Sequence, residues 1–408
     1  MKLALVHMRH RGTGGTERYL NQMAAHLAAN GHAVTILCRS HEEAPHPAVR
    51  FVVLRGLATG GAWRMWAFAR AVERHARRER YDVVYGLGKT WTHDVVRLGG
   101  GCHQTYLDTA HEATLAPWKR FAGRYALKHL LALRIEARAL QPSSVRRVIT
   151  NSMMVKRDVM SRHGVAPEKI TVIYNGVDVE RFHPRRRETD GVARRRACGF
   201  GERDFVVLFL GTGYGRKGLQ PLLDAFPALL GQRPEARLLV VGYDSARSRF
   251  ERAAQRSGIG SRATFLGGRR DPEACFAAAD VYVLPTFYDP FANTTLEALA
   301  TGLPVVTTIA NGASEVLTHR VTGSIIDTHA LPERLLDELL FWSAPGQARA
   351  ALPVTRALAA EYREERMLAA STRVLEEVVE EKRRSQAPVV PSAIEGAGSR
   401  FIIPASAE

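Results

Sequence analysis

Four groups of residues have the types and spacing to work on a ligand that carries both negative charge and hydroxyls. The first is Tyr288-Asp-Pro-Phe-Ala-Asn-Thr-Thr-Leu-Glu297, where Asp289 and Glu297 stand with seven residues between them. A helix is predicted from Thr294 to Thr301, with Gly302 as its stop. Amides at a helix start suit an anion, and carboxylates suit hydroxyls. Asn293, Thr294 and Thr295 would offer the amides. Glu297 lies one turn in and could accept two vicinal hydroxyls, as on a ribose. The plainer readings are a capping Asn293 and a solvated Glu297. The second group is Gly211-Thr-Gly-Tyr-Gly-Arg-Lys-Gly218. Small residues such as Gly215 precede Arg216 and Lys217, which suits a diphosphate: Arg216 as a planar fork, Lys217 as a compact charge. Lys217 is followed by Gly and not by Ser or Thr, so this is not a Walker loop. Two solvated loop cations are the alternative.

The third group is His10-Arg-Gly-Thr-Gly-Gly-Thr-Glu-Arg18. Gly14 and Gly15 would let a backbone approach a ligand closely, or simply form a tight turn. The pattern is not GxGxxG, so no dinucleotide fingerprint is claimed. The fourth is Asp94-Val-Val-Arg-Leu-Gly-Gly-Gly-Cys-His103. It reads as a strand entering a Gly-rich turn, with His103 where open α/β sheets bind ligands. A capped or core histidine would look the same. A diphosphate joined to hydroxylated rings, as in a nucleotide sugar, would satisfy all four groups.

The elements that must position these groups alternate strand and helix twice along the chain. Residues 2–7 are an apolar run, followed by the Gly-rich turn, then Leu20, Met23, Ala24 and Leu27 on one helical face, then a strand from Ala33 to Cys38. Apolar runs recur at Phe51–Leu54, Tyr81–Gly86, Val148–Asn151 and Ile170–Tyr174. The alternation restarts at Phe205-Val-Val-Leu-Phe-Leu210 and continues through Arg237–Gly242, Ala263–Gly267, Val281–Pro285, Pro304–Thr308 and Gly323–Ile326. That pattern implies two doubly wound parallel sheets, a first domain over residues 1–180 and a second over 181–353. Arg185 to Arg196 reads as a polar surface linker, with a short helix beginning at Arg194. Residues 354–384 read as one long charged helix packing back toward the first domain, and 385–408 as a disordered Pro/Ser/Ala/Gly-rich tail.

At 408 residues, with 46% apolar content, two cores are expected. No run of eighteen apolar residues is present, so no membrane-spanning helix is expected. Cys38, Cys102, Cys198 and Cys275 are scattered without a CxxC pair, which fits reduced thiols in the cytoplasm and argues against a disulfide frame or zinc site. The net charge of +16 is segregated: residues 1–175 hold 27 Lys/Arg against 12 Asp/Glu, the remainder 30 against 29. Such asymmetry points to an anionic partner. Residues 114–141 add a helical pattern with Trp118, Phe121 and Tyr125 beside Lys and Arg, suited to an anionic membrane surface or to an ordinary domain helix. Nucleic acid is not favoured, because no helix-turn-helix or RNA-binding signature accompanies the charge.

Taken together, Gly14-Gly15-Thr16-Glu17-Arg18, Asn175-Gly-Val-Asp178, Gly215-Arg-Lys-Gly218, Asp289-x7-Glu297, Ala300-Thr-Gly-Leu-Pro304 and the turn before His103 resemble the retaining glycosyltransferases of family 4. The likeness is nearest to the α-glucosyltransferases that begin the lipopolysaccharide outer core, and it covers roughly residues 1–380. It implies the GT-B fold, two Rossmann-like domains facing a cleft. It also implies retention without a bound metal or other cofactor, in agreement with the lack of a DxD motif. By position, Arg216 and Lys217 would neutralise the leaving diphosphate, and Glu297 would hold the ribose. Asp289 would address the transferred sugar, and His103 would contact the sugar or stabilise charge at the reacting carbon. Gly14, Gly15, Asn175, Gly215, Asn293, Thr294 and Thr295 would complete the donor site. The implied substrates are a UDP-linked sugar, glucose foremost, and a lipid-linked or phosphorylated glycan met at the inner face of the cytoplasmic membrane. A capsular or exopolysaccharide lipid acceptor is the alternative, as is a silent nucleotide-sugar-binding protein. The family's first acid is normally Glu and its usual Gly stands at position 292. Asp289 and Ala292 replace them here, which leaves the choice of sugar open.

Overall fold

The computed structural model describes residues 1–10, 14–56, 60–109 and 126–386. Two all-parallel sheets organise it. The first contains β1 (Lys2–Val6), β2 (Ala33–Cys38), β3 (Arg50–Val53), β4 (Val83–Gly86), β5 (Val95–Leu98), β6 (Arg147–Thr150) and β7 (Ile170–Val172). Their order is β3-β2-β1-β4-β5-β6-β7. The second contains β8 (Phe205–Leu210), β9 (Ala236–Val241), β10 (Ala263–Gly267), β11 (Val281–Leu284), β12 (Val305–Thr308) and β13 (Gly323–Ile326), in the order β10-β9-β8-β11-β12-β13. In each sheet the order reverses beside the first strand, at β1/β4 and at β8/β11. Doubly wound sheets bind ligands at that reversal, outside the carboxyl ends of the strands. Gly14 and Gly15, after β1, and the Arg-Lys loop after β8 both occupy it. The α/β GT-B expectation is therefore met.

The central strands are buried on both faces, and their sequences are correspondingly apolar throughout. Val206, Val207, Leu208 and Phe209 are fully buried in β8, as are Val281, Tyr282, Val283 and Leu284 in β11. Helices cover both faces. Leu219, Leu222, Leu223, Phe226 and Leu229 bury one side of the helix Leu219–Gln232 against the second sheet.

The C-terminal segment departs from the single helix predicted over 354–384. Two helices, Leu352–Glu361 and Glu364–Gln386, are separated at Tyr362 and Arg363. The first packs in the second domain's core through Ala359. The second buries Met367, Leu368, Val374, Leu375, Val378 and Val379 among Leu20, Met23 and Leu27 of the first domain. Lys382 fastens its far end to Asp94 Oδ2 at 3.0 Å. The break is where the chain crosses back between domains, and it pairs with the outward crossing. Val177 N donates to Tyr362 O at 2.9 Å, and Glu364 N donates to Val177 O at 3.2 Å. Tertiary pairing here overrides a sequence that would otherwise continue as helix.

The stretch read as a polar linker is also ordered. Pro184–Glu188 forms a 3-10 turn and Asp190–Ala197 a helix. Two of its arginines are anchored on backbone carbonyls. Arg187 donates to Ala279 O at 2.7 Å, and Arg195 to Ala278 O at 2.8 Å and Asp280 Oδ2 at 3.2 Å. These are cations at the carbonyl end of the helix Pro272–Ala278, where the helix dipole favours them. Apolar periodicity could not reveal an element held by charge.

Residues 114–125 of the basic amphipathic stretch, and the tail from 387, lie outside the described residues. The described part, the helix Leu127–Ala139, buries Leu131, Ala132 and Ile135 against Met65 and Ala69 of the helix Gly61–Arg78. No described helix is long and apolar enough to cross a membrane.

The paired crossings approach so closely that a Cβ on Gly176 would lie 2.5 Å from Glu364 Cα. Gly176→Ala is therefore expected to force the two crossings apart and lower stability by about 2 kcal/mol. Urea unfolding of the variant against the parent chain measures this. An unshifted midpoint would mean that the crossings separate without loss.

Candidate active site

A cleft of about 760 Å³ lies between the domains at the carboxyl ends of both sheets. Gly15, Arg18, Tyr19 and Arg97 line it from the first domain, and Arg216, Lys217, Asp289, Asn293, Thr294 and Glu297 from the second. Asn175, in the crossing between them, lines it as well.

The loop after β8 is shaped before any ligand arrives. Tyr214 N donates to Asp244 Oδ2 at 2.6 Å, and Tyr214 Oη donates to Gly242 O at 2.8 Å, which pins the loop to the end of β9. Arg216 O accepts from Phe287 N at 3.0 Å and from Thr286 Oγ1 at 3.1 Å, which pins it to the end of β11. Gly218 starts the following helix with φ of 79°, and a Cβ there would stand 1.9 Å from Pro285 O. Only glycine permits that approach. Gly215 shapes the loop without lining the cleft; Arg216 and Lys217 are the residues that reach it.

Both cations meet Asp289. Lys217 Nζ donates to Asp289 Oδ2, and Arg216 Nη1 lies 3.4 Å from the same oxygen while donating to Tyr288 O at 2.8 Å. Burial alone would raise the Asp289 carboxyl, but the Lys217 and Arg216 charges outweigh it and hold its pKa below the usual carboxylate range. The other carboxylate oxygen accepts from Phe291 N at 3.1 Å. Both Asp289 oxygens thus have partners within the protein.

Asn311, which the sequence reading did not single out, fixes the next residues. It is fully buried. Its Oδ1 accepts from Ala292 N and Ala313 N, both at 3.1 Å, and its Nδ2 donates to Thr307 Oγ1 at 3.1 Å and Thr295 Oγ1 at 3.2 Å. The side chain of Thr295 therefore faces the core, and its amide donates to Ala292 O at 3.0 Å. Of the three expected amide donors, Asn293 and Thr294 remain for a ligand, at the start of the helix Asn293–Ala300. That start has no side-chain cap. Asn293 is not the cap: its Oδ1 accepts from Asn175 Nδ2 at 2.5 Å. Thr294 Oγ1 accepts from Tyr282 Oη at 2.6 Å.

Glu297 accepts from Arg18 Nη1 at 3.0 Å, an ion pair across the cleft. Burial pushes the Glu297 carboxyl up despite Arg18. Gly14 precedes the first helix of the chain with φ of 113°, and Gly15 opens that helix beside Asn293.

His103 is not brought to this cluster. It heads the helix His103–Thr109, where its amide donates to both Glu136 oxygens at 2.9 and 2.8 Å, and its Nε2 lies 2.9 Å from His129 Nδ1. Burial, with Lys89 adding to it, pushes its pKa down to about 4, so the ring is neutral at pH 7 and supplies no positive charge. Cys102, Glu136 and His163 present ligand atoms within 4.8 Å of one another, a possible cation cluster by type. Glu136 is already used there to cap the His103 helix, and none of the three lines the cleft.

The Lys217–Asp289 pair generates a stability test. Lys217→Met leaves a buried carboxylate with Arg216 alone, at an expected loss of about 3 kcal/mol at pH 7. A depressed carboxylate contributes stability that is full above its unfolded pKa and is lost as pH falls through the folded value. The gap between parent and variant should therefore narrow below about pH 4. Denaturant titration at pH 7 and at pH 3.5 gives both numbers, and a gap that widens in acid would refute the pairing.

Two family models match the chain: Glycosyltransferase Family 4 over residues 13–181 and Glycosyl transferases group 1 over residues 204–342. The D-inositol 3-phosphate glycosyltransferase of Mycobacterium sp. (strain KMS) is 29% identical over 367 residues, covering 83% of this chain and 80% of its own. The lipopolysaccharide glucosyltransferase WaaG of Escherichia coli (strain K12) is 25% identical over 328 residues, covering 80% and 85%. The WaaG crystal structure superposes with a TM-score of 0.77 at 22% identity, covering 91% of this chain and 99% of WaaG. Anabaena HepE, solved in complex with UDP-glucose, gives a TM-score of 0.68 at 20% identity, covering 94% and 100%. With one model on each domain, relatives along four-fifths of its length and the fold shared, the chain belongs to glycosyltransferase family 4 and is a transferase of GT-B architecture.

Proposed function

We propose that the chain transfers a hexose, glucose foremost, from UDP to a lipopolysaccharide-core or related glycolipid acceptor, with retention at the anomeric carbon and no bound metal. One juxtaposition carries this reading. Arg216 and Lys217 share a cleft with the uncapped amides of Asn293 and Thr294 and with the buried carboxylate of Glu297. Cations and amides suit a diphosphate, and an acid one turn further suits a ribose. The glucosyltransferase WaaG among the relatives supports glucose and a lipopolysaccharide acceptor.

In this reading the incoming diphosphate takes Arg216 and Lys217 from Asp289, and the ribose takes Glu297 from Arg18. Asp289, released from Lys217, addresses the transferred sugar. The bond from the anomeric carbon to the phosphate oxygen breaks. The acceptor oxygen bonds to the same face, and its proton passes to the departing diphosphate. Arg216, Lys217 and the two amides neutralise charge that grows on that leaving group, which is the largest electrostatic demand of the step. Gly14 and Gly15 keep the first domain's backbone close to the phosphates.

The mycobacterial relative, named for an inositol phosphate, supports a second acceptor class, a small phosphorylated polyol. The basic first domain suits either acceptor. It also suits docking on the anionic inner face of the cytoplasmic membrane. Leu127 and Leu130, 48% and 40% exposed, flank Lys128 at the start of their helix.

Incubation with UDP-glucose and truncated core lipid should yield a product one hexose heavier, with the donor's anomeric configuration by NMR and undiminished rate in EDTA. Lys217→Ala should lower turnover about 100-fold or more. Glu297→Ala should weaken donor binding about 10-fold or more, as loss of charged hydrogen bonds does. Full activity in both variants, or an inverted product, would sink the assignment. Vesicle flotation should show binding that needs anionic lipid and weakens with salt; equal binding to neutral vesicles at high salt would remove the membrane part.

A further inference from the structure

Among the described residues, one cleft cation lacks the carboxylate partner that the others have. Arg18 pairs with Glu297, Arg216 and Lys217 with Asp289, and Arg269 with Asp271. Arg97 lines the same cleft, is only 6% exposed, and has no carboxylate partner among the described residues. Its Nη2 donates to Asn175 Oδ1 at 2.6 Å, and its guanidinium carbon lies 3.8 Å from the centre of the Tyr19 ring. Tyr19 is held in turn by Tyr85 Oη at 2.8 Å and by Ser371 Oγ at 3.0 Å. The Arg97 Nε–H is buried without an acceptor. Gly99 makes room for the group, since a Cβ there would stand 2.4 Å from Arg97 Nη1. A guanidinium oriented by a ring and an amide, desolvated and lacking a counter-charge, is unfavourable until an anion joins it.

We infer that Arg97 is the recognition site for a phosphoryl group on the acceptor. It stands on β5 beside Gly99 and Gly100, on the first-domain wall, whereas the cations and amides suited to the donor diphosphate belong to the second domain. Asn175 joins the two walls, accepting from Arg97 and donating to Asn293. An acceptor phosphate on Arg97 would thus be sensed at the amides that hold the donor. A planar fork is the side chain best matched to a phosphate. The inference rests on the transferase reading for its acceptor, but not for the anion site itself.

Two measurements separate these. Inorganic phosphate added to UDP-saturated parent protein should bind by calorimetry and raise the unfolding midpoint, and Arg97→Gln should weaken that binding at least tenfold. No binding by the parent, or equal binding by the variant, overturns the site. UDP affinity is measured alongside, and a matching loss in Arg97→Gln would transfer the residue to the donor and overturn the acceptor assignment. With truncated core lipid before and after phosphatase treatment, the parent should prefer the phosphorylated form by KM, and Arg97→Gln should abolish the preference. A preference that survives in Arg97→Gln overturns the inference. Should the variant not fold, the phosphate-induced shift of the parent still decides whether the site exists. Failure of transfer to every acceptor, with phosphate binding that still needs Arg97, would count against the transferase reading and not against the site.

Discussion

The buried contact of Asp289 with Lys217 and Arg216 holds the floor of the cleft together. It joins the loop after β8 to the loop after β11, the two segments at the reversal of the second sheet. The same arrangement recurs across the cleft, where Arg18 covers Glu297. In the proposed reading, one partner of each pair stands where part of the donor would bind. A carboxylate occupies cations suited to phosphate, and a guanidinium occupies an acid suited to hydroxyls. An open site of unpaired charges would be destabilised by desolvation. Internal pairing removes that penalty, and in the proposed reading a diphosphate, with more charge and more acceptor oxygens, competes for the same cations.

The parts of this site that were legible in the sequence are the local ones. Gly211 to Gly218 announces a close-approach loop ending in two cations, and Asp289 to Glu297 announces acids around a helix start, because turn chemistry and helix spacing act over fewer than ten residues. The two sheets were legible for the same reason, as apolar runs punctuated by Gly-rich turns. What the chain does not display is long-range partnership. Asn311 follows a strand and looks like a turn residue, yet its amide group braces Ala292 and Thr295. Arg97 lies in a strand otherwise read for its histidine, and nothing local marks a buried cation there. His103 was placed by strand-end reasoning, but its ring pairs with His129, 26 residues onward, and does not line the cleft. The helix break at Tyr362 depends on Val177, far earlier in the chain.

Those paired crossings bear on how the two walls of the cleft can move. Among the described residues the chain crosses between the domains near Val177 and near Arg363, and these segments hydrogen-bond to each other. Two strands tied side by side resist separation yet allow bending about their common direction, as hinges with few residues do. Asn175 lies two residues before this tie and bonds to Arg97 on one wall and Asn293 on the other. The hinge and the polar contacts of the cleft are therefore neighbours, and contacts made by a ligand at either wall act on the same short stretch of chain.

The shorter acid at position 289 can be understood in this frame. Its backbone is fixed by Asp289 N donating to Ala310 O at 2.9 Å and Gly312 N donating to Asp289 O at 2.8 Å. With the backbone held, side-chain length alone sets how far the carboxylate reaches. Aspartate satisfies both oxygens close to the chain, on Phe291 N and Lys217. One methylene more would carry the carboxylate beyond the Phe291 amide, toward the cleft, and leave that amide open. At position 292 the amide is held by Asn311, and alanine adds only a methyl group beside it. In the proposed reading, the shorter acid keeps its carboxylate on Lys217 and the Phe291 amide, while the Asn293 and Thr294 amides line the cleft independently of it.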